Sequence, residues 1–116
     1  MEITIYHNPR CSKSRATLAL LQERGHQPEI IEYLLTPPDR ERMTEILSML
    51  DISAAQLLRR GEAAFRDLDL ARPDVTDREL IEAMIGNPKL IERPIVVCNG
   101  KARIGRPPES VLEILS

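Results

Sequence analysis

A chain of 116 residues, 42% hydrophobic and 29% charged, is long enough for one domain with its own core and too short to make two expected. A net charge of −2 and 3% aromatic residues, with no Trp and one Phe, argue against a general nucleic-acid binder, which needs a basic face and rings on which to stack bases. No apolar run approaches the roughly 20 residues of a membrane span, and Met1-Glu2-Ile3 lacks a basic n-region and an apolar h-region, so no membrane partner and a cytoplasmic location are expected.

Residues 2 to 6 alternate as a short strand, and residues 12 to about 24 carry a broad apolar face of Ala16, Leu18, Ala19, Leu20 and Leu21 that predicts a helix ended by Gly25. Between them lies the loop His7-Asn8-Pro9-Arg10-Cys11-Ser12-Lys13-Ser14-Arg15. A cysteine at a helix N-terminus meets unpaired N–H groups and a partial positive charge, which favour a thiolate or a bound oxyanion. Arg10, Lys13 and Arg15 reinforce that field, and such a basic neighbourhood does not suit a buried structural thiol. Cys11 is therefore the candidate nucleophile, with Arg15 the nearby cation most able to tune it. His26 is a polar loop residue.

Glu29 to Leu34 reads as a second strand, so the first three elements form a βαβ unit with parallel strands. Thr36-Pro37-Pro38-Asp39 opens a helix, with prolines expected in its first turn. Met43, Ile46, Leu47 and Leu50 form its apolar side. Ser53 starts a short helix ending near Arg59, and Phe65, Leu68 and Leu70 are expected to anchor the segment that follows. Thr76-Asp77-Arg78-Glu79 is a capping box ahead of a helix with Leu80, Ile81, Met84 and Ile85. Arg93 to Cys98 is a buried strand. Asn99-Gly100 signals a two-residue hairpin, with Lys101 to Ile104 returning antiparallel. Pro107-Pro108 begins a last helix that faces Val111, Leu112 and Leu115 inward.

The fold class expected is α/β, a β-α-β unit followed by β-β-α in a four-stranded mixed sheet. That order resembles the thioredoxin-like arrangement, as one domain over 1–116 with a helical insertion at about 37–90. In that comparison Pro94 takes the place of a cis-proline beside the active loop.

Cys98 ends an Ile-Val-Val run and is most simply a core residue. Two cysteines and two histidines, His7 and His26, give no metal-ligand spacing, so no metal is expected, and so few cysteines suit a reducing compartment. Arg59, Arg93 and Arg106 stand at element boundaries, and guanidinium groups bind tetrahedral oxyanions through paired N–H donors. If the strands lie in one sheet, Arg93 and Arg106 can fall at the same edge as the Cys11 loop. A tyrosine-phosphatase loop is absent, because the residue six after Cys11 is Thr17. A Cys-x-x-Cys pair is absent too, because Ser14 occupies the second position. A lone thiol must take reducing equivalents from glutathione or a thiol protein.

Ile3 to Pro9 with Cys11 and Ser14-Arg15, Tyr33-Leu34 with Thr36-Pro37-Pro38, Leu57-Leu58-Arg59, Arg93 to Val97, and Arg106-Pro107 with Val111 to Leu115 together resemble the glutaredoxin-coupled arsenate reductases. The Arg10-Cys11-Ser12-Lys13 loop and the stop at Ser116 resemble a short branch of that family. The resemblance implies that Cys11 attacks arsenate and that Arg59, Arg93 and Arg106 bind the anion. It also implies that His7 and Ser14 hold Cys11 as a thiolate, and that glutathione, as co-substrate, and glutaredoxin complete the reduction to arsenite. No bound cofactor is implied. Two other functions fit the same residues: a glutathione-linked thiol oxidoreductase on another substrate, and a non-enzymatic regulator of this fold that binds RNA polymerase. The redox-sensing members of the latter use the Cys-x-x-Cys pair absent here.

Overall fold

The computed structural model describes residues 2–115. Its chain divides into two compact units, one made of residues 2–36 and 93–115 and the other of residues 37–92.

The first unit holds a four-stranded sheet of order β2-β1-β3-β4, built from β1 (Ile3–His7), β2 (Glu29–Glu32), β3 (Ile95–Cys98) and β4 (Lys101–Ile104). β1 runs parallel to β2 and antiparallel to β3, and β3 pairs antiparallel with β4. This mixed sheet is the thioredoxin-like order. Side chains alternate across a strand, so Ile3 and Ile5 share a face with Val96 and Cys98. That face packs with Leu21, Val111 and Ile114 as the buried core. Asn99 and Gly100 both have positive φ, 55° and 75°, as a type I′ turn requires, and they close the β3–β4 hairpin.

Helix α1 (Ser12–Glu23) follows the Cys11 loop, and its buried positions are Ser14, Thr17 and Leu21. The expected Ala-rich face is only partly right, since Ala16 and Ala19 are exposed and Leu18 and Leu20 half-buried. Two hydroxyl residues turn inward instead because their oxygens find partners: Ser14 bonds His7 and Asn8, and Thr17 donates to the Lys13 carbonyl at 2.8 Å. The final helix is also revised. Residues Pro108–Ile114 form a 3₁₀ helix, whose period of three buries Val111 and Ile114 and leaves Leu112 and Leu115 half-buried.

The second unit is helical: α2 (Arg40–Leu50), α3 (Ala54–Leu57), α4 (Ala63–Asp67), α5 (Asp77–Gly86) and a 3₁₀ turn over Pro88–Leu90. α5 contacts α2, α3 and the 3₁₀ turn. Asp39 caps α2, so the two prolines precede the helix rather than enter its first turn. Capping boxes open α3, through Ser53 and Gln56, and α5, through Thr76 and Glu79. Leu70 is buried as expected, Phe65 is half-buried, and Leu68 is 43% exposed. No helix among the described residues is long and apolar enough to cross a membrane.

Candidate active site

The Cys11 loop is held by a short-range hydrogen-bond network that begins at Asn8. Its side-chain Oδ1 accepts from the Arg10 N–H at 3.0 Å, its carbonyl accepts from the Cys11 N–H at 3.0 Å, and its own N–H donates to Ser14 Oγ at 3.0 Å. An Asx-type turn of this kind substitutes for a backbone turn and fixes the approach to a helix. Arg15 Nη1 adds a clamp by donating to the Pro9 carbonyl at 3.0 Å. Ser14 Oγ stands 2.6 Å from Nδ1 of His7, the last residue of β1, and both side chains are buried. The loop, the strand end and the first helical turn are thereby tied together.

Cys11 is the N-cap of α1 and is 9% exposed. Burial works to raise its pKa, but four groups outweigh it: the backbone N–H groups of Ser14 and Lys13, the charge of Arg93, and the guanidinium of Arg106. The thiol is thereby held below its ordinary value. Lys13 thus acts on the sulfur through its backbone N–H. Arg106 Nη1 lies 3.9 Å from Sγ and also donates to the Arg93 carbonyl at 3.1 Å. The Arg93–Pro94 and Arg106–Pro107 peptide bonds are cis. Cys98 is fully buried in the core, and burial raises its pKa.

His7 is held below the ordinary imidazole value. Burial is the largest cause, Glu32 opposes it, and Arg15 reinforces it. Beside the loop lies a groove of about 370 Å³, with His7, Asn8, Pro9 and Arg10 on one side and Glu32 and Leu35 on the other. Leu35 is 80% exposed at its rim.

Of the residues singled out from sequence, His7, Cys11, Ser14, Arg15, Arg93, Pro94 and Arg106 all belong to the sheet-bearing unit. Arg59 belongs to the helical unit, where its Nη1 pairs with Glu62 at 2.7 Å and its Nε approaches Glu92 at 4.0 Å. Asn8, Thr17 and Gly105 escaped the sequence reading. The available signal was an isolated glycine at a strand end, which marks close backbone approach. A Cβ at Gly105 would lie 2.8 Å from Pro94 Cγ and 3.1 Å from Thr17 Cγ2. Among the described residues no cluster of three His, Cys, Asp or Glu side chains is placed to hold a metal ion.

An ArsC family model matches residues 6–114. The chain is 55% identical over 115 residues to the uncharacterized protein YfgD of Escherichia coli, covering 98% of this chain and 97% of that one. It is 46% identical over 113 residues to an arsenate reductase of Escherichia coli, covering 97% and 80%. The arsenate reductase structure from Vibrio cholerae superposes with a TM-score of 0.97 at 50% identity, covering 99% of this chain and 98% of that one.

Proposed function

This chain belongs to the ArsC family, and on that premise we propose that it is a thiol-dependent arsenate reductase in which Cys11 is the nucleophile. The observation that carries the reading is a depressed thiol at a helix N-terminus with Arg106 Nη1 3.9 Å from the sulfur. A thiolate there can attack an oxyanion whose charge the same guanidinium offsets.

The thiolate attacks arsenic, an S–As bond forms, and one oxygen leaves as water after taking a proton. Arg93 and Arg106, with Arg59 from the helical unit, are the proposed anion ligands. His7 and Ser14 hold the loop in which the thiolate sits, and Arg15 fixes it at Pro9. Cys98 is buried in the core and Ser14 replaces the second cysteine of a dithiol motif, so the electrons come from outside thiols. One external thiol displaces a second oxygen from arsenic, which leaves as water with the thiol's proton. Attack of another thiolate on that thiol's sulfur then forms a disulfide and leaves the electron pair on arsenic, taking it from As(V) to As(III). Hydrolysis of the Cys11–arsenic bond releases arsenite. Glutathione and glutaredoxin are the proposed donors, and the groove beside Arg10 and Glu32 is the proposed approach for the first.

The test is arsenite formation from arsenate by the purified protein with glutathione and glutaredoxin, against Cys11→Ser. Turnover no higher than that of the variant overturns the reading. Reduction of a glutathione mixed disulfide without arsenate turnover transfers the same thiol to another substrate.

A further inference from the structure

Arg106 follows Gly105, and the short β4 strand ends immediately before them at Ile104. The Arg93 carbonyl holds the end of the side chain, and the backbone from which that side chain starts is fixed at Gly105. Three contacts fix it there. The Gly105 N–H donates to the Pro94 carbonyl at 2.9 Å, which registers the segment against the start of β3. The Gly105 carbonyl faces the hydroxyl of Thr17 at 3.5 Å, while the shorter bond of that hydroxyl runs to the Lys13 carbonyl within α1. The Cα of Gly105 is pressed between Thr17 and Pro94 with no room for a side chain. Thr17 is fully buried, and its own helix is capped by Cys11. The sulfur and the guanidinium are thus referred to one another across the Thr17–Gly105 packing contact, with α1 on one side and the Gly105–Arg106 backbone on the other. Close-packed interiors transmit a displacement of a few tenths of an ångström rather than absorb it.

We propose that Thr17 and Gly105 are positioning residues that set the distance between the Arg106 guanidinium and Cys11 Sγ. Neither touches the reacting sulfur; they act through Arg106. The inference rests on Cys11 being the working thiolate and is independent of which oxyanion it attacks.

The measurement is the pH dependence of Cys11 alkylation by iodoacetamide, read on the Cys11 peptide by mass spectrometry, which needs neither arsenate nor a reductant. Gly105→Ala forces the backbone away from Thr17 and Pro94, and the alkylation midpoint is expected to rise enough to cut the thiolate fraction about fivefold at neutral pH. Thr17→Ala removes Oγ1 and Cγ2 from the contact, so the Thr17→Ala/Gly105→Ala pair recovers part of the loss. In an Arg106→Ala background neither substitution moves the midpoint further, because the group they position is gone. If Gly105→Ala does not fold, Thr17→Ala alone decides: loosening the contact raises the midpoint about twofold to threefold in thiolate equilibrium, and only with Arg106 present. A midpoint that does not move in any folded variant, or that moves equally without Arg106, overturns the proposal. Altered arsenate turnover with an unchanged midpoint overturns it too, and leaves the arsenate reading standing.

Discussion

Arg106 reaches Cys11 across 95 positions of sequence and stands with Nη1 3.9 Å from its sulfur. The same nitrogen donates to the Arg93 carbonyl, so the guanidinium is held in place before any anion arrives. Arg106→Ala is expected to raise the Cys11 pKa and reduce the thiolate at neutral pH about fivefold, a modest factor because Arg106 is exposed and solvent screens it. Arg106→Lys retains the charge but loses the fork and should recover only part of the effect. Thiolate absorbance near the ultraviolet edge, followed against pH, measures both; an unchanged midpoint in Arg106→Ala contradicts the assignment.

The two cysteines are pushed in opposite directions, Cys11 down and Cys98 up. Iodoacetamide at neutral pH should modify Cys11 and spare Cys98 by about a hundredfold, because Cys98 reacts only when the core opens. The linkage signs differ in the same way. Cys11 favours the folded state above the ordinary thiol range, and its contribution is lost as pH falls through its lowered value. Cys98 favours the folded state below that range, and its contribution is lost as pH rises through its raised value. Cys11→Ser should therefore move the change in denaturant stability between neutral and alkaline pH toward loss relative to the parent protein; equal changes in the two proteins contradict this.

His7 supplies a third pH signature. Its folded-state pKa is depressed, chiefly by burial, with Glu32 opposing and Arg15 reinforcing. The neutral imidazole therefore stabilises the fold above the ordinary imidazole value, and that stability is lost as pH falls through the lowered one. His7→Gln keeps a polar partner for Ser14 without a titration, so its stability should fall less steeply with acid. Chemical denaturation across the acid range tests this, and an acid limb identical to that of the parent protein rejects His7 as the cause.

Local chemistry made much of this legible. Asn99-Gly100 needed only the positive φ that its turn demands, and Thr76 with Glu79 needed only the orphan N–H groups of a helix start. Cys11 between a strand and a helix was readable for the same reason. What escaped depended on residues distant in sequence. Ser14 and Thr17 look like surface positions until their partners at His7, Asn8 and Gly105 are known. The last helix has an apolar spacing that fits either helical period, and packing of Val111 and Ile114 selects the 3₁₀ form. Arg59 was readable as a boundary arginine, but not as one already committed to carboxylates.

That commitment makes Arg59 the most exacting test of the anion site. Its backbone is pinned by an N–H···O bond to Leu90 at 2.8 Å and by the neighbouring Leu58–Ile91 bridge. Its guanidinium pairs with Glu62 at 2.7 Å and lies 4.0 Å from Glu92, with its side chain 27% exposed. An oxyanion ligand must share this arginine with two carboxylates, so part of its charge is already offset. If Arg59 binds arsenate, Arg59→Ala should raise the arsenate KM about tenfold, the cost of one charge-assisted contact. Glu62→Gln should lower that KM about twofold to threefold by removing a competing negative charge while leaving a hydrogen-bond partner that keeps the side chain ordered. The opposite signs are the discriminating feature. A purely structural arginine would lose thermal stability in both variants and show no opposed shift in KM, and steady-state kinetics beside a melting curve separates the two. An unchanged KM in a folded Arg59→Ala protein would leave the anion to Arg93 and Arg106 alone.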